Sequence, residues 1–143
     1  MHSRNVDVHR SNHEAFSRGD LDAVVFGESI RFTDHARGLV LEGQDEVKGW
    51  LEEWKQAFSD ARITDADYVD AGEYSVCRFT GRGVNDGPLG PFSATGREVV
   101  FPLCEVHRHD AAGRVIEGNI YYDQLTILIQ LGHAPAPERA TIG

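Results

Sequence analysis

The sequence has little of what marks several common protein classes. It holds only two cysteines, Cys77 and Cys104, both in strand-like runs. There is no C-x-x-C pair and no cysteine–histidine cluster of zinc-finger spacing, so two reduced, buried thiols of an intracellular protein are expected. Basic residues are scarce: 14 Lys plus Arg against 23 Asp plus Glu give a formal net charge of −9. That balance argues against nucleic acid and against anionic membranes, which both select a basic face. No run approaches the ~20 apolar residues of a membrane span. The N-terminal stretch carries Arg4, Asp7, Arg10, Glu14, Arg18 and Asp20 and no long apolar segment. A secretory signal is therefore not expected, and the cytoplasm is the expected location. G-x-S-x-G, P-loop and G-x-G-x-x-G motifs are missing, so Gly81, Gly83, Gly87 and Gly90 are read as turn residues.

What is present suits one globular domain. The chain has 143 residues, 41% hydrophobic and 26% charged. A chain of this size buries roughly 70% of its unfolded surface. Residues 5–18 read as a helix with Val8, Asn12, Ala15 and Phe16 on one face. Asp20 is placed to cap a second short helix over 21–26. Residues 29–34 look like a strand, followed by the loop HARGLVLEG. The clearest helix is 44–58, where Val47, Trp50, Leu51, Trp54, Ala57 and Phe58 repeat at helical spacing. After Phe58 the period becomes strand-like: 61–71, 74–84, 97–109 and 114–122 read as strands, the last two forming a hairpin. A short helix, 124–131, follows. Residues 1–132 are assigned to the domain and 133–143 to a loose tail.

Helices segregated from a run of antiparallel strands mean α+β. A strongly curved, mostly antiparallel sheet wrapped around an N-terminal helical layer would leave a cone with an open mouth, a natural small-molecule site.

Alternation along the strands nominates the chemistry. One face of 97–109 holds Val99, Phe101, Leu103, Glu105 and His107. In the final strand, Val115, Glu117, Asn119, Tyr121 and Asp123 share a face. If these two faces line the cone, Glu105 and Asp123 enter one apolar pocket. Burial and a second nearby carboxylate both raise a carboxylate's pKa, giving a usable acid or base near neutrality. Glu105 could instead pair with Arg78 or Arg108, and Asp123 could simply cap the helix at Gln124. Asp34 and His35 close the first strand, with His35 a possible proton donor at the mouth or a surface histidine. The remaining histidines are read as mostly terminal or near charges; no helical H-x-x-x-H or comparable metal-binding pattern is expected, and no metal is expected.

The pieces AFSRGDLDAV (15–24), RFTDHARGLVLEG (31–43), WKQAFSD (54–60), GPLGPFSATGR (87–97), DAAGRVIE (110–117) and YYDQLTILIQLG (121–132) together resemble the SnoaL-like polyketide cyclase family. The resemblance spans about residues 5–132. It implies the curved-sheet cone shared with ketosteroid isomerase, scytalone dehydratase and limonene epoxide hydrolase. It also implies cofactor-independent ring closure by intramolecular aldol condensation, with Asp123 as acid/base. Those cyclases carry a histidine on the long preceding strand, where Glu105 and His107 are the nearest matches.

The expectation is thus a cyclase or isomerase without cofactor, acting on a small apolar or polyketide-like carbonyl compound. Asp123 would remove the proton; Glu105, His35 or His107 would serve the oxyanion. Asp34, Trp50, Trp54, Phe101, Tyr121 and Asn119 would bind the substrate. The alternatives are an epoxide hydrolase or dehydratase using the same carboxylates, and a non-catalytic binding module. The face carrying Val100, Cys104 and Val106 is too apolar to leave wet, so a homodimer through the sheet is expected.

Overall fold

The apolar period changes at Phe58, and the structure changes with it. The computed structural model describes residues 3–137. Before the change, α2 (Gln44–Ala57) turns Val47, Trp50, Trp54 and Ala57 inward on one stripe, with Asp45 and Glu46 in its first turn, where negative charge is favoured. After it come β3 (Arg62–Ala71), β4 (Tyr74–Val84), β5 (Glu98–His109) and β6 (Val115–Tyr122). Upstream lie α1 (Arg4–Ser17), a single 3-10 turn (Leu21–Ala23), β1 (Phe26–Asp34) and β2 (Leu39–Glu42); α3 (Gln124–Leu131) follows β6. Ser3 caps α1 by accepting from the Val6 amide.

Two local expectations are corrected. The region after Gly19 is one 3-10 turn, without a side-chain hydrogen bond from Asp20, and β1 begins already at Phe26. The loop after Asp34 contains a strand: Leu39 to Glu42 pairs antiparallel with β1. Its alternation of half-buried Leu39 and Leu41 with exposed Val40 and Glu42 spans only four residues, too short to stand out.

The strands form one sheet in the order β2-β1-β6-β5-β4-β3. All neighbours are antiparallel except β1 and β6, which run parallel. This is the expected α+β cone, with a mostly antiparallel curved sheet around the helices. Register shifts between Thr64 and Asp67 and between Arg108 and His109 mark where strands bend. Both long helices pack on one side of the sheet, α1 against β3 and β4, α2 against β1 and β2. Behind the other strand ends, the Gln130 amide of α3 bonds both the N–H and the C=O of Val100 on β5, at 2.7 and 2.8 Å.

The shift between β5 and β6 decides which side chains face inward. Arg108 pairs with Glu117, but His109 pairs with Val115, so Ile116 is the extra residue. Val115 is buried, and beyond the bulge the inward positions are Gly118 and Ile120. Gly118 has to lack a side chain, since a Cβ there would lie 2.3 Å from the Phe32 ring. The segment after α3 begins anchored: His133 Nε2 donates to the Ser93 carbonyl at 2.9 Å. The rest of the expected tail, from residue 138, lies outside the described residues.

Candidate active site

Helical spacing puts His9 and His13 one turn apart on the inner face of α1, beside Asn12. Strand alternation puts Glu105 and His107 on the inner face of β5. The two elements meet over β4. There His9 Nε2, His13 Nε2 and His107 Nε2 lie 2.9, 2.6 and 3.2 Å from one oxygen, Glu105 Oε1. His9, His13, Glu105 and His107 are all buried. The His9 and His107 rings stack with centroids 4.0 Å apart.

A relay of hydrogen bonds fixes how His9 is used. His109 Nδ1 bonds the Gly113 carbonyl at 2.9 Å. A carbonyl can only accept, so that nitrogen carries the proton. His109 Nε2 then accepts from the Ser75 hydroxyl, 2.7 Å away. Ser75 Oγ has one hydrogen, now committed, so His9 Nδ1 donates to it across 2.7 Å. Burial lowers the pKa of both histidines, and burial with the neighbouring His107 pushes His9 down to about 3. His9 is therefore neutral at physiological pH, and its Nε2 presents a lone pair to Glu105.

Burial alone would raise the Glu105 carboxyl. The His107 and His13 rings against it outweigh burial and hold it well below the usual carboxylate range. His13 is oriented by the Tyr68 hydroxyl, 2.9 Å from its Nδ1. His107 has no hydrogen-bond partner for either ring nitrogen among the described residues. His9, His13 and Glu105 each offer one metal-ligating atom, and the three atoms lie within 4.8 Å of one another.

This polar cluster closes the floor of an open-mouthed cavity. The walls are apolar and come from both helices and the sheet, among them Phe32, Trp50, Trp54, Phe79 and Phe101. His13, Glu105 and His107 line the same space. The apolar lining suits a small apolar ligand held by a few polar groups.

The nominated residues divide into three groups. Glu105, His107, Trp50, Trp54 and Phe101 line the cavity. Asp34 is fully buried but serves the framework: it accepts from Trp50 Nε1 (3.0 Å), from the Tyr122 hydroxyl (2.7 Å) and from the amides of Ala36 and Arg37. It does not line the cavity.

Asp123, His35, Asn119 and Tyr121 lie elsewhere, which corrects the expected catalytic face of β6. Asp123 is exposed and caps α3, accepting from the amides of Leu125 and Thr126 and from the Thr126 hydroxyl. Those bonds, with the Thr126 hydroxyl foremost, lower its pKa. His35 stacks on Tyr121 at 4.3 Å and bonds Asn119 Oδ1 at 2.8 Å, on the outer side of the sheet. For the β6 residues the cause is the bulge at Ile116. Alternation carried forward from buried Val115 assigns every later residue to the wrong face.

His9, His13, Tyr68, Ser75 and His109 went unnoticed in the sequence. Contrary to expectation, a helical histidine pair exists: HRSNH, residues 9–13. Its signal is the four-residue spacing, aligned with Asn12 and Phe16 on the inner stripe.

Comparison with solved structures gives the same architecture. A protein from Jannaschia sp. CCS1, provisionally named a SnoaL-like polyketide cyclase, is 18% identical with a TM-score of 0.83, over 92% of this chain and 94% of that one. Wild-type IdmH from Streptomyces antibioticus, provisionally named a polyketide cyclase, is 22% identical with a TM-score of 0.79, over 91% and 99%. A Catenulispora acidiphila DSM 44928 protein of ketosteroid isomerase-like fold, in complex with trimethylamine, is 17% identical with a TM-score of 0.76, over 88% and 92%. No curated protein matches the sequence. At these identities the structures establish the fold, while the model of the SnoaL-like domain matches residues 8–118, most of the length. The chain belongs to the SnoaL-like domain family.

Proposed function

We propose that the protein is an enzyme of polyketide-cyclase type, acting on an apolar compound whose acidic C–H lies next to a carbonyl. The observation that carries this reading is an ionised carboxylate, Glu105, ringed by imidazoles at the floor of an otherwise apolar cavity. The base role expected of Asp123 passes to Glu105. A bound substrate would present its C–H to Glu105, and His107, whose Nδ1 makes no hydrogen bond among the described residues, would hydrogen-bond the developing enolate oxygen. Attack of the enolate carbon on a second carbonyl of the folded substrate would close a ring, the attacked C=O becoming an alkoxide that takes back, through the imidazole cluster, the proton Glu105 removed. The aromatic walls would hold the chain folded and keep water out.

Hydrogen–deuterium exchange tests the first step without knowledge of the natural substrate. The protein is incubated in D₂O with an aryl 1,3-diketone, and exchange at the central carbon is followed by NMR against the uncatalysed rate. Glu105→Gln is expected to remove most of the acceleration, and His107→Gln part of it, with circular dichroism checking the fold. Full exchange by Glu105→Gln would sink the reading.

The reading also includes a cytoplasmic homodimer. Cys77 and Cys104 are both free, which suits a reducing compartment. The outer sheet face exposes Val69, Val100 and Tyr121, and a partner sheet would cover them. Light scattering at micromolar concentration is expected to give twice the chain mass; a monomer mass rejects the dimer.

A further inference from the structure

We propose that His9 Nε2, His13 Nε2 and the Glu105 carboxylate form a binding site for a divalent transition-metal ion, zinc or iron(II) in class. This reverses the sequence-based expectation of no metal and goes beyond the proton-transfer reading.

The relay to Gly113 is the first argument. It places a proton on His9 Nδ1 and leaves Nε2 as the nitrogen facing Glu105 Oε1, 2.9 Å away. With Nδ1 committed to Ser75, Nε2 is the nitrogen left to share a positive centre, proton or metal ion, with Glu105. Four elements of the fold cooperate to produce this tautomer: α1, β4, β5 and the turn before β6. A bridging proton needs no such apparatus, because either tautomer of His9 could share one.

Convergence is the second argument. Three imidazole nitrogens crowd one carboxylate oxygen, at 2.6, 2.9 and 3.2 Å. The longest of these, from His107 Nε2, is an ion-pair contact without a hydrogen bond, and the ring is 3% exposed with no hydrogen bond to Nδ1 among the described residues. A buried imidazole with an unsatisfied nitrogen is costly as a structural group. As the neighbour of a fourth coordination position it has a use.

Ligand chemistry is the third. Two histidines one helical turn apart and a carboxylate from another element form a two-nitrogen, one-oxygen set, which suits zinc and non-haem iron(II). Metal-binding histidines also tie their outer nitrogen to an oxygen. Here Ser75 Oγ braces His9, and the Tyr68 hydroxyl braces His13. Glu105, His13 and His107 face the cavity, so the open position would be reached by substrate or water. A water in that position of a zinc ion ionises near pH ~7 and could assume the role of the base.

Cobalt(II) titration of the metal-stripped full chain reads the site directly, with zinc competition to follow. One ion per chain is expected, with the visible absorption of four- or five-coordinate cobalt(II), bleached by one equivalent of zinc. His9→Gln and His13→Gln should abolish the spectrum. Ser75→Ala, which touches no ion, should weaken binding roughly 10–100-fold. His35→Ala, on the outer side of the sheet, should leave it unchanged. Circular dichroism of each variant separates lost binding from lost fold, and a misfolded glutamine variant leaves Ser75→Ala to decide. No binding below millimolar cobalt or zinc, or binding that survives both glutamine substitutions, overturns the inference. Metal binding without diketone exchange sinks only the carbonyl reading. Exchange by metal-stripped protein that binds no cobalt sinks only the metal site.

Discussion

Glu105 in the middle of β5 and Asp123 at the end of β6 both follow apolar or aromatic residues, yet they occupy opposite environments. Glu105 is 6% exposed and meets three imidazoles. Asp123 is exposed and spends its carboxylate on the first turn of α3. Both have lowered pKa values, for different reasons: neighbouring rings that outweigh burial at Glu105, and hydrogen bonds led by the Thr126 hydroxyl at Asp123. Apolar neighbours along a chain therefore do not locate a buried carboxylate. What does is the face its side chain takes and the groups that other elements bring to it.

The largest effect that could break this comparison is kinetic. Glu105→Gln is expected to slow diketone exchange by about 10²–10⁴-fold, whereas Asp123→Asn leaves the rate unchanged. A slow Asp123→Asn with an active Glu105→Gln would exchange the two roles. Next comes the wall of the cavity. Trp54 is 8% exposed and stacks near Phe58 and Phe101, so Trp54→Ala should cost about 3–5 kcal/mol in denaturant unfolding. A loss below ~1 kcal/mol would mean that the cavity wall is not part of the core.

Asp34 sharpens the contrast as a third carboxylate, buried but outside the cavity. Removing it strands the Trp50 and Tyr122 donors, and Asp34→Ala should cost about 3 kcal/mol. Its Tyr122 partner has a raised pKa, through burial first and then the bond to Asp34. Exchange by the folded fraction should stay normal; a rate loss in fully folded protein would make Asp34 part of the chemistry. The smallest effect belongs to the helix cap. Asp123→Ala should cost ~1 kcal/mol and Asp123→Asn less, because asparagine caps nearly as well. A larger loss from asparagine would show that the Asp123 charge does more than cap α3.

Much of the fold could be read locally. The stripe of Val47, Trp50, Trp54 and Ala57 determined α2, and alternation determined β4 and β5, each recovered within a residue or so. The same alternation correctly sent Val99, Phe101, Leu103, Glu105 and His107 inward. It failed on β6 because one extra residue, Ile116, inverts the phase, and a bulge has no signature in the apolar pattern. On α1 the apolar stripe runs through Val8, Ala15 and Phe16 and passes over His9 and His13, which look polar in isolation.

By itself, then, the sequence determined the class of fold, its element order, the aromatic wall and half of the polar floor. These follow from periodicity, which is a property of neighbours along the chain. Only the tertiary structure decided that α1 delivers two histidines to Glu105, that Ser75 and His109 set the tautomer of one of them, and that Asp123 stays outside. His9 and Glu105 are 96 positions apart, and Asp34 and Tyr122 are 88. Contacts at that range depend on strand register and helix docking, which no local pattern encodes.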